Sequence, residues 1–92
     1  MIKSFKNDET RRVFEGEDTF RFPPEIQPAA NRKLLVLDAV RSLKELSHPP
    51  SNRLEKLAGD RKGQYSIRIN RQWRICFRWN EGAEDVEITD YH

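Results

Sequence analysis

The sequence predicts an α+β domain in which N-terminal helices pack on one face of a small antiparallel sheet. Two observations support this class. Apolar residues recur every three or four positions in the first half of the chain, and every second position from residue 65 onward. The chain has 92 residues, of which 36% are hydrophobic and 35% are charged, so it can bury one modest core. We therefore expect a single domain over residues 1–92.

The amino-terminal half contains the predicted helices. Residues 2–5 alternate apolar and polar side chains, which predicts a short edge strand. Asn7 or Asp8 can cap a following short helix, which ends at Gly16. The main helix is predicted over residues 25–40. Its apolar stripe consists of Ile26, Ala30, Leu34, Leu37 and Val40.

Prolines restrict where helices can begin and end in the first half of the chain. Pro28 must lie in the first turn of the main helix, where its missing N–H costs little. A second periodic piece contains Leu43 and Leu46, and it ends at the His-Pro-Pro sequence of residues 48–50. Residues 54–63 are then predicted to form a loop.

Two half-buried strands are predicted at residues 65–69 and 73–79, because both segments alternate apolar and polar side chains. If both apolar sets face one core, the three-residue loop 70–72 sets a register in which Arg68 lies opposite Arg74. Like charges directly across a ladder are destabilising by up to ~1 kcal/mol. Replacing Arg74 by alanine is therefore expected to leave the fold at least as stable.

A third strand is predicted around Val86 and Ile88, after a turn at residues 80–82. With these apolar residues inward, Glu87 and Tyr91 point to the opposite, open face of the sheet. The same open face carries Arg68, Arg74 and Arg78.

Charge is unevenly distributed along the chain. Residues 52–79 hold eight Lys and Arg residues against two acidic ones, a net charge of +6, whereas residues 80–92 have a net charge of −5. Such segregation favours a basic face for an anionic partner, of which nucleic acid is the commonest. A solvated surface with compensating charges is the alternative.

Composition also excludes several classes of protein. No run of apolar residues is long enough to span a membrane, and the amino end lacks the apolar region of a secretory signal, so we expect a cytoplasmic protein. The lone Cys76 excludes an internal disulfide. With His48 and His92 it makes too small and too scattered a set for a zinc site, and the sequence predicts no metal or cofactor.

The open face offers the groups needed to cleave RNA. That reaction requires a group that removes the 2′-hydroxyl proton, fixed cations for the charge of the phosphorane, and a group that protonates the leaving 5′ oxygen. Glu55 or Asp90 could act as the base, the imidazole of His92 could transfer a proton, and Tyr91 could donate a hydrogen bond or stack on a base. Surface ion pairs and a frayed terminus are the alternative explanations for these residues.

The segment NRLEKLAGDRKGQYSIRINRQWRICFRW, together with the terminal VEITDYH, resembles the carboxyl half of HigB toxins in the RelE superfamily. The start MIKSF and the length agree as well. The resemblance implies a microbial-RNase-like fold and a toxin encoded beside a HigA-type helix-turn-helix antitoxin, through which alone it would contact operator DNA. It also implies cleavage of mRNA in the ribosomal A site by 2′-hydroxyl attack.

Residue roles follow from the matched positions. Arg74 of the Trp-Arg pair matches the family's transition-state cation, and Asp90, Tyr91 and His92 match its terminal catalytic cluster. Some HigB toxins have a histidine where this chain has Glu55, so Glu55 is the expected replacement for the base. The same toxins have a lysine where this chain has Ala58. The expected RNA-binding residues are Lys56, Arg61, Lys62, Arg68, Arg71 and Arg78.

Two other functions remain open at this point. A ParE-like toxin that poisons DNA gyrase shares the fold and needs no acid-base cluster. A degenerate toxin that only binds nucleic acid would keep the basic segment equally well.

Overall fold

A computed structural model describes residues 1–90, which form two α-helices, four β-strands and four short 3-10 helices. The helices are α1 (Asp8–Phe14) and α2 (Gln27–Ala39). The strands are β1 (Glu55–Lys56), β2 (Tyr65–Arg68), β3 (Trp73–Trp79) and β4 (Ala83–Asp90). The strand order is β1-β2-β3-β4, and all neighbouring pairs are antiparallel. The predicted α+β class is confirmed.

The helices begin and end close to the predicted positions. Asn7 caps α1, because its side-chain oxygen accepts a hydrogen bond from the Thr10 backbone N–H at 2.8 Å. The main helix starts at Gln27 rather than residue 25, since one turn of 3-10 helix over Pro24–Ile26 precedes it. Pro28 lies in the first turn of α2 as expected, and the buried face of the helix consists of Ala30, Leu34 and Leu37.

The register of the central strands is the predicted one. Ile67 pairs with Ile75, and Arg68 pairs with Arg74. The expected loop at residues 54–63 is wrong at its start, because Glu55 and Lys56 form an edge strand on β2. A two-residue strand is too short to show any periodicity.

Strand β4 contains a bulge. Cys76 pairs with Glu87, but Arg78 pairs with Glu84, so β4 has one residue more than β3 over this stretch. Asp85, in this extra stretch, has a φ of 52°. Residues 2–5 lie along the outer edge of β4 as expected, but they pair with it through two isolated parallel bridges, from Ile2 to Ala83 and from Phe5 to Val86, rather than as a continuous strand.

The core lies between the helices and one face of the sheet. Leu34 and Leu37 of α2 and Phe77 of β3 are fully buried there. The aromatic residues on the same parity pack against this core, as expected: Tyr65, Trp73 and Trp79. Among residues 1–90, no helix is both long and apolar enough to cross a bilayer.

The other face of the sheet, which we call the Arg74 face, carries Ser66, Arg74, Cys76 and Glu87. It was expected to be open, and this is wrong: Ser66 and Cys76 are completely buried. The segment 57–64, which we call the strap, covers part of it. Leu57 of the strap is 6% exposed, and the Arg61 guanidinium reaches Glu87 with an Nη1–Oε1 distance of 2.8 Å.

Candidate functional site

Arg74 is the central residue of the site. The residue is only 9% exposed, although its side chain is charged. Its Nε donates to Ser66 Oγ at 2.8 Å, and its Nη2 donates to the Arg53 backbone carbonyl at 2.7 Å. Both of these acceptors are uncharged, so they restrict the orientation of the guanidinium without adding a negative charge next to it. A cation held in this way needs little rearrangement to stabilise a developing anion.

Glu55 lies beside this guanidinium at the edge of the sheet. Its Oε1 is 3.6 Å from Arg74 Nη2, and its side chain is 51% exposed. The register explains the contact, since Glu55 pairs with Ser66, and Ser66 also binds Arg74. The structure therefore brings together a solvent-accessible carboxylate and a buried cation, which is the combination that proton abstraction next to a phosphate requires.

Arg68 places a second positive charge next to the first. It is the direct cross-strand partner of Arg74, and its Nε donates to the Asn70 carbonyl at 3.0 Å. The expectation that Arg74→Ala leaves the fold at least as stable considered only the repulsion within this pair. Glu55, Ser66 and the Arg53 carbonyl all offset the repulsion, because they contact the Arg74 guanidinium.

Asp90 is the member of the predicted terminal cluster that lies within the described residues. Asp90 pairs with Trp73, one position beyond the pair of Thr89 with Arg74. Its Oδ2 accepts a hydrogen bond from Gln72 Nε2 at 2.9 Å. The predicted catalytic residues Tyr91 and His92 lie outside the described residues.

Apart from Arg68, the expected RNA-binding residues divide into three groups. Arg61 holds the strap through Glu87, and Arg78 lies 3.8 Å from Asp85, so both contact carboxylates. Lys62 and Arg71 are exposed at the strap and at the β2–β3 turn. Lys56 is not brought to the Arg74 face, because its register partner Tyr65 lies on the helix side of the sheet.

The position of the Arg78 side chain explains why residue 63 of the strap is a glycine. Gly63 has a φ of 91°, and a Cβ at that position would come within 2.8 Å of Arg78 Nη1. The guanidinium of Arg78 therefore packs directly on the strap backbone. A side chain at this position would displace either the strap or Arg78.

Sequence reasoning missed two residues that position Arg74. Ser66 could have been found, because it is a polar residue on the same strand parity as Arg68. Arg53 could not, since it contributes its backbone carbonyl from a left-handed conformation with a φ of 46°. An arginine in the sequence gives no indication that its backbone will be left-handed.

Cys76 is poorly suited to nucleophilic catalysis, because it is completely buried. Burial raises the pKa of its thiol, and the neighbouring Glu87 adds to that effect, although Arg61 and Arg74 oppose it. A buried thiol whose pKa is raised stays protonated at neutral pH and is a poor nucleophile.

The structure thus has a four-stranded antiparallel sheet with helices on one face and an anchored arginine on the other. Comparison with known proteins shows the family to which the chain belongs. The profile of the family described as "RelE-like toxin of type II toxin-antitoxin system HigB" matches residues 3–92. The chain belongs to this family of HigB toxins.

Individual relatives cover the whole chain. Toxin HigB-1 of Vibrio cholerae serotype O1 is 40% identical over 93 residues, which is 100% of this chain and 98% of the relative. Endoribonuclease HigB of Proteus vulgaris is 34% identical over 93 residues, with both chains fully covered. Among solved structures, the YoeB–YefM complex from Staphylococcus aureus matches with a TM-score of 0.55 and 16% identity, covering 100% of this chain and 98% of the other. This last likeness concerns the fold.

Proposed function

We propose that this chain is an endoribonuclease that cuts mRNA in the ribosomal A site and thereby inhibits translation. The observation that carries the proposal is the Arg74 guanidinium, which is nearly buried, held by two uncharged acceptors and adjacent to the Glu55 carboxylate. A surface that only blocked a partner would not require a buried, oriented charge. The Proteus vulgaris relative is named an endoribonuclease, which supports the same activity here.

In the proposed reaction, the 2′ oxygen of one nucleotide attacks the adjacent phosphorus. The O2′–P bond forms and the P–O5′ bond breaks, so the products carry a 2′,3′-cyclic phosphate and a 5′-hydroxyl. Arg74, with Arg68 beside it, stabilises the added negative charge on the phosphorane. The reaction as proposed needs no metal, because fixed guanidinium groups supply this positive charge.

The proton transfers are assigned to carboxylate and imidazole groups. Glu55 accepts the proton of the attacking 2′-hydroxyl, since its carboxylate is exposed to substrate and close to Arg74. His92 gives a proton to the leaving 5′ oxygen, and Tyr91 orients or stacks the nucleotide. Asp90 belongs to the same terminal cluster.

The partners follow from this function. The RNA is bound through exposed Lys62 and Arg71 and through the positive potential of Arg61 and Arg78, with Lys56 acting from the sheet edge. The antitoxin is of the HigA helix-turn-helix type, and operator DNA is contacted only through it. A substrate held on the ribosome places the toxin in the cytoplasm.

Translation reactions in vitro with end-mapped mRNA test this proposal. Ribosome-bound message should be cut, and the same message without ribosomes should remain intact. The variant Arg32→Ala, which removes an exposed arginine of α2, serves as a control and should cut like the parent. Intact message would contradict the proposal. In cells after brief induction of the toxin, intact message with arrested replication would indicate a gyrase poison, and RNA binding with neither effect would indicate a noncatalytic toxin.

A further inference from the structure

A basic cleft next to Arg74 shares Arg68 with the reaction described above, but its other lining side chains have no part in that reaction. It has a volume of about 410 Å³ and lies between α2, the turn that follows the helical half, and the end of β2. It is lined by Lys33, Ser51, Arg53, Arg68, Ile69 and Asn70. Among the described residues of this lining, three are cationic and none is acidic, so the cleft has a net positive charge.

The three cations lack carboxylate partners within residues 1–90. The Lys33 ammonium donates to the neutral Asn52 Oδ1, and Arg68 Nε donates to the Asn70 carbonyl. In the same part of the chain, the Arg53 guanidinium makes no hydrogen bond. Other arginines of the basic segment do contact carboxylates: Arg61, Arg74 and Arg78. Positive charge is therefore left uncompensated at this cleft.

The walls of the cleft are held by buried groups. Asn52 is completely buried, and its amide donates to the carbonyls of Leu46 and His48 at 3.2 and 3.1 Å. The same side chain accepts from Lys33, which fixes the ammonium at the wall. Two of these contacts lie within the turn, and the third ties that turn to α2.

Arg53 connects the cleft to the candidate site. Its backbone carbonyl accepts the hydrogen bond from Arg74, while its side chain lines the cleft. Arg68, the cross-strand partner of Arg74, lines the cleft from the other side. A chain of phosphates that passes Arg74 would thus meet Arg68 and Arg53 next.

We propose that this cleft binds a backbone phosphate next to the scissile phosphate, with Lys33 and Arg53 as its ligands and Arg68 between the two phosphates. The proposal rests on RNA being the substrate of the proposed function. A phosphate fits better than a base, because Lys and Arg provide only donors, and the described lining offers no aromatic ring for stacking. Neither Lys33 nor Arg53 belongs to the residues assigned to the reaction.

Binding of an uncleavable RNA tests the proposal separately from catalysis. The probe is a fluorescent ten-nucleotide RNA with 2′-O-methyl groups at every position, made once as oligo-U and once as oligo-A. The cleft variants are Lys33→Gln and Arg53→Gln. Their matched controls are Arg32→Gln and Arg41→Gln, which remove exposed cations outside the cleft. Dissociation constants are measured by anisotropy at several salt concentrations.

Each cleft variant should weaken binding about 3- to 10-fold, equally for both sequences, and should reduce the slope of log K against log salt by about 0.7. The controls should change Kd less than about twofold. Lys33→Gln also disturbs Asn52, so its melting temperature is compared with the parent's, and Arg53→Gln carries the test if Lys33→Gln is unfolded.

The assignment of the cleft as a phosphate site is wrong if both cleft variants fold and bind the probes like their controls. It is also wrong if the loss of affinity differs between oligo-U and oligo-A, or if the parent binds neither probe at low salt. If the parent cleaves mRNA and the cleft variants bind the probe as tightly as the parent does, the phosphate site is wrong and the proposed function still stands. A parent that binds through the cleft but never cuts mRNA would overturn the proposed function and leave the phosphate site standing.

Discussion

Replacing Arg74 by alanine should separate the chemical role of this residue from its structural role. The alanine removes the positive charge next to the scissile phosphate, and the loss of one preorganised group of this kind lowers the rate by about 10²- to 10³-fold. The Arg74→Ala protein should therefore cut ribosome-bound message at no more than about 1% of the parental rate.

The stability effect follows from the contacts of Arg74. Two hydrogen bonds, to Ser66 and to the Arg53 carbonyl, are lost at about 1 kcal/mol each. The ion pair with Glu55 contributes little, because that carboxylate is half exposed. Relief of the repulsion from Arg68 returns up to about 1 kcal/mol. The net loss is about 1–2 kcal/mol, which lowers Tm by roughly 5–15 °C.

Two measurements on purified protein test this reasoning: end-mapped cleavage of ribosome-bound mRNA, and thermal unfolding followed by circular dichroism. Ser66→Ala is the matched control, since it keeps the guanidinium and removes one of its two neutral acceptors. It should retain measurable cleavage and lose about 1 kcal/mol of stability, because it breaks one hydrogen bond and leaves the repulsion from Arg68 in place. Parental cleavage by Arg74→Ala, or a variant that does not fold, would refute the assignment of Arg74 as a positioned cation.

Three further predictions concern other residues. Glu55→Gln should lower cleavage about 10²-fold or more, with Tm nearly unchanged because the carboxylate is half exposed. An equal loss of cleavage in Glu15→Gln, which removes an exposed ion-pair carboxylate just after α1, would show that the effect is not local. Deleting residues 91–92 should abolish cleavage and growth inhibition while antitoxin binding in a pull-down persists, and parental cleavage by the truncated chain would remove the terminal cluster from the mechanism. Because the pKa of Cys76 is raised by burial, its contribution to stability is present below the pKa of an unfolded thiol and is lost above it. Urea unfolding should therefore show a decline in stability between pH 8 and 10 that is smaller in Cys76→Ala, and identical declines would contradict the burial of a neutral thiol.

Much of the sheet could be predicted because its strands obey a period of two. Alternation on both sides of residues 70–72 requires a register that leaves the apolar residues of both strands on one face. Together with the three-residue loop, this requirement places Arg68 opposite Arg74. The cap at Asn7 and the position of Pro28 were similarly predictable, since each depends on neighbouring residues only.

The features that were missed depend on contacts between distant residues or on backbone geometry. The strap is held on the sheet by a hydrogen bond from Arg61 to the carboxylate of Glu87, and these residues are 26 positions apart in the sequence. Strand alternation marks the Arg74 face as polar, but it does not show that the strap covers this face. The left-handed conformation of Arg53 likewise has no local signature, although it supplies the carbonyl that holds Arg74.

The central claim is that a fixed guanidinium assists attack by the 2′-hydroxyl of a message on the ribosome. It is tested most directly by programming ribosomes with two mRNAs that differ by a single 2′-deoxy nucleotide on the 5′ side of the mapped cut. The account predicts that the unmodified message yields a 2′,3′-cyclic phosphate and a 5′-hydroxyl, and that the deoxy message is not cut at that position. Equal cutting of both messages, or products with a 3′-hydroxyl and a 5′-phosphate, would contradict it.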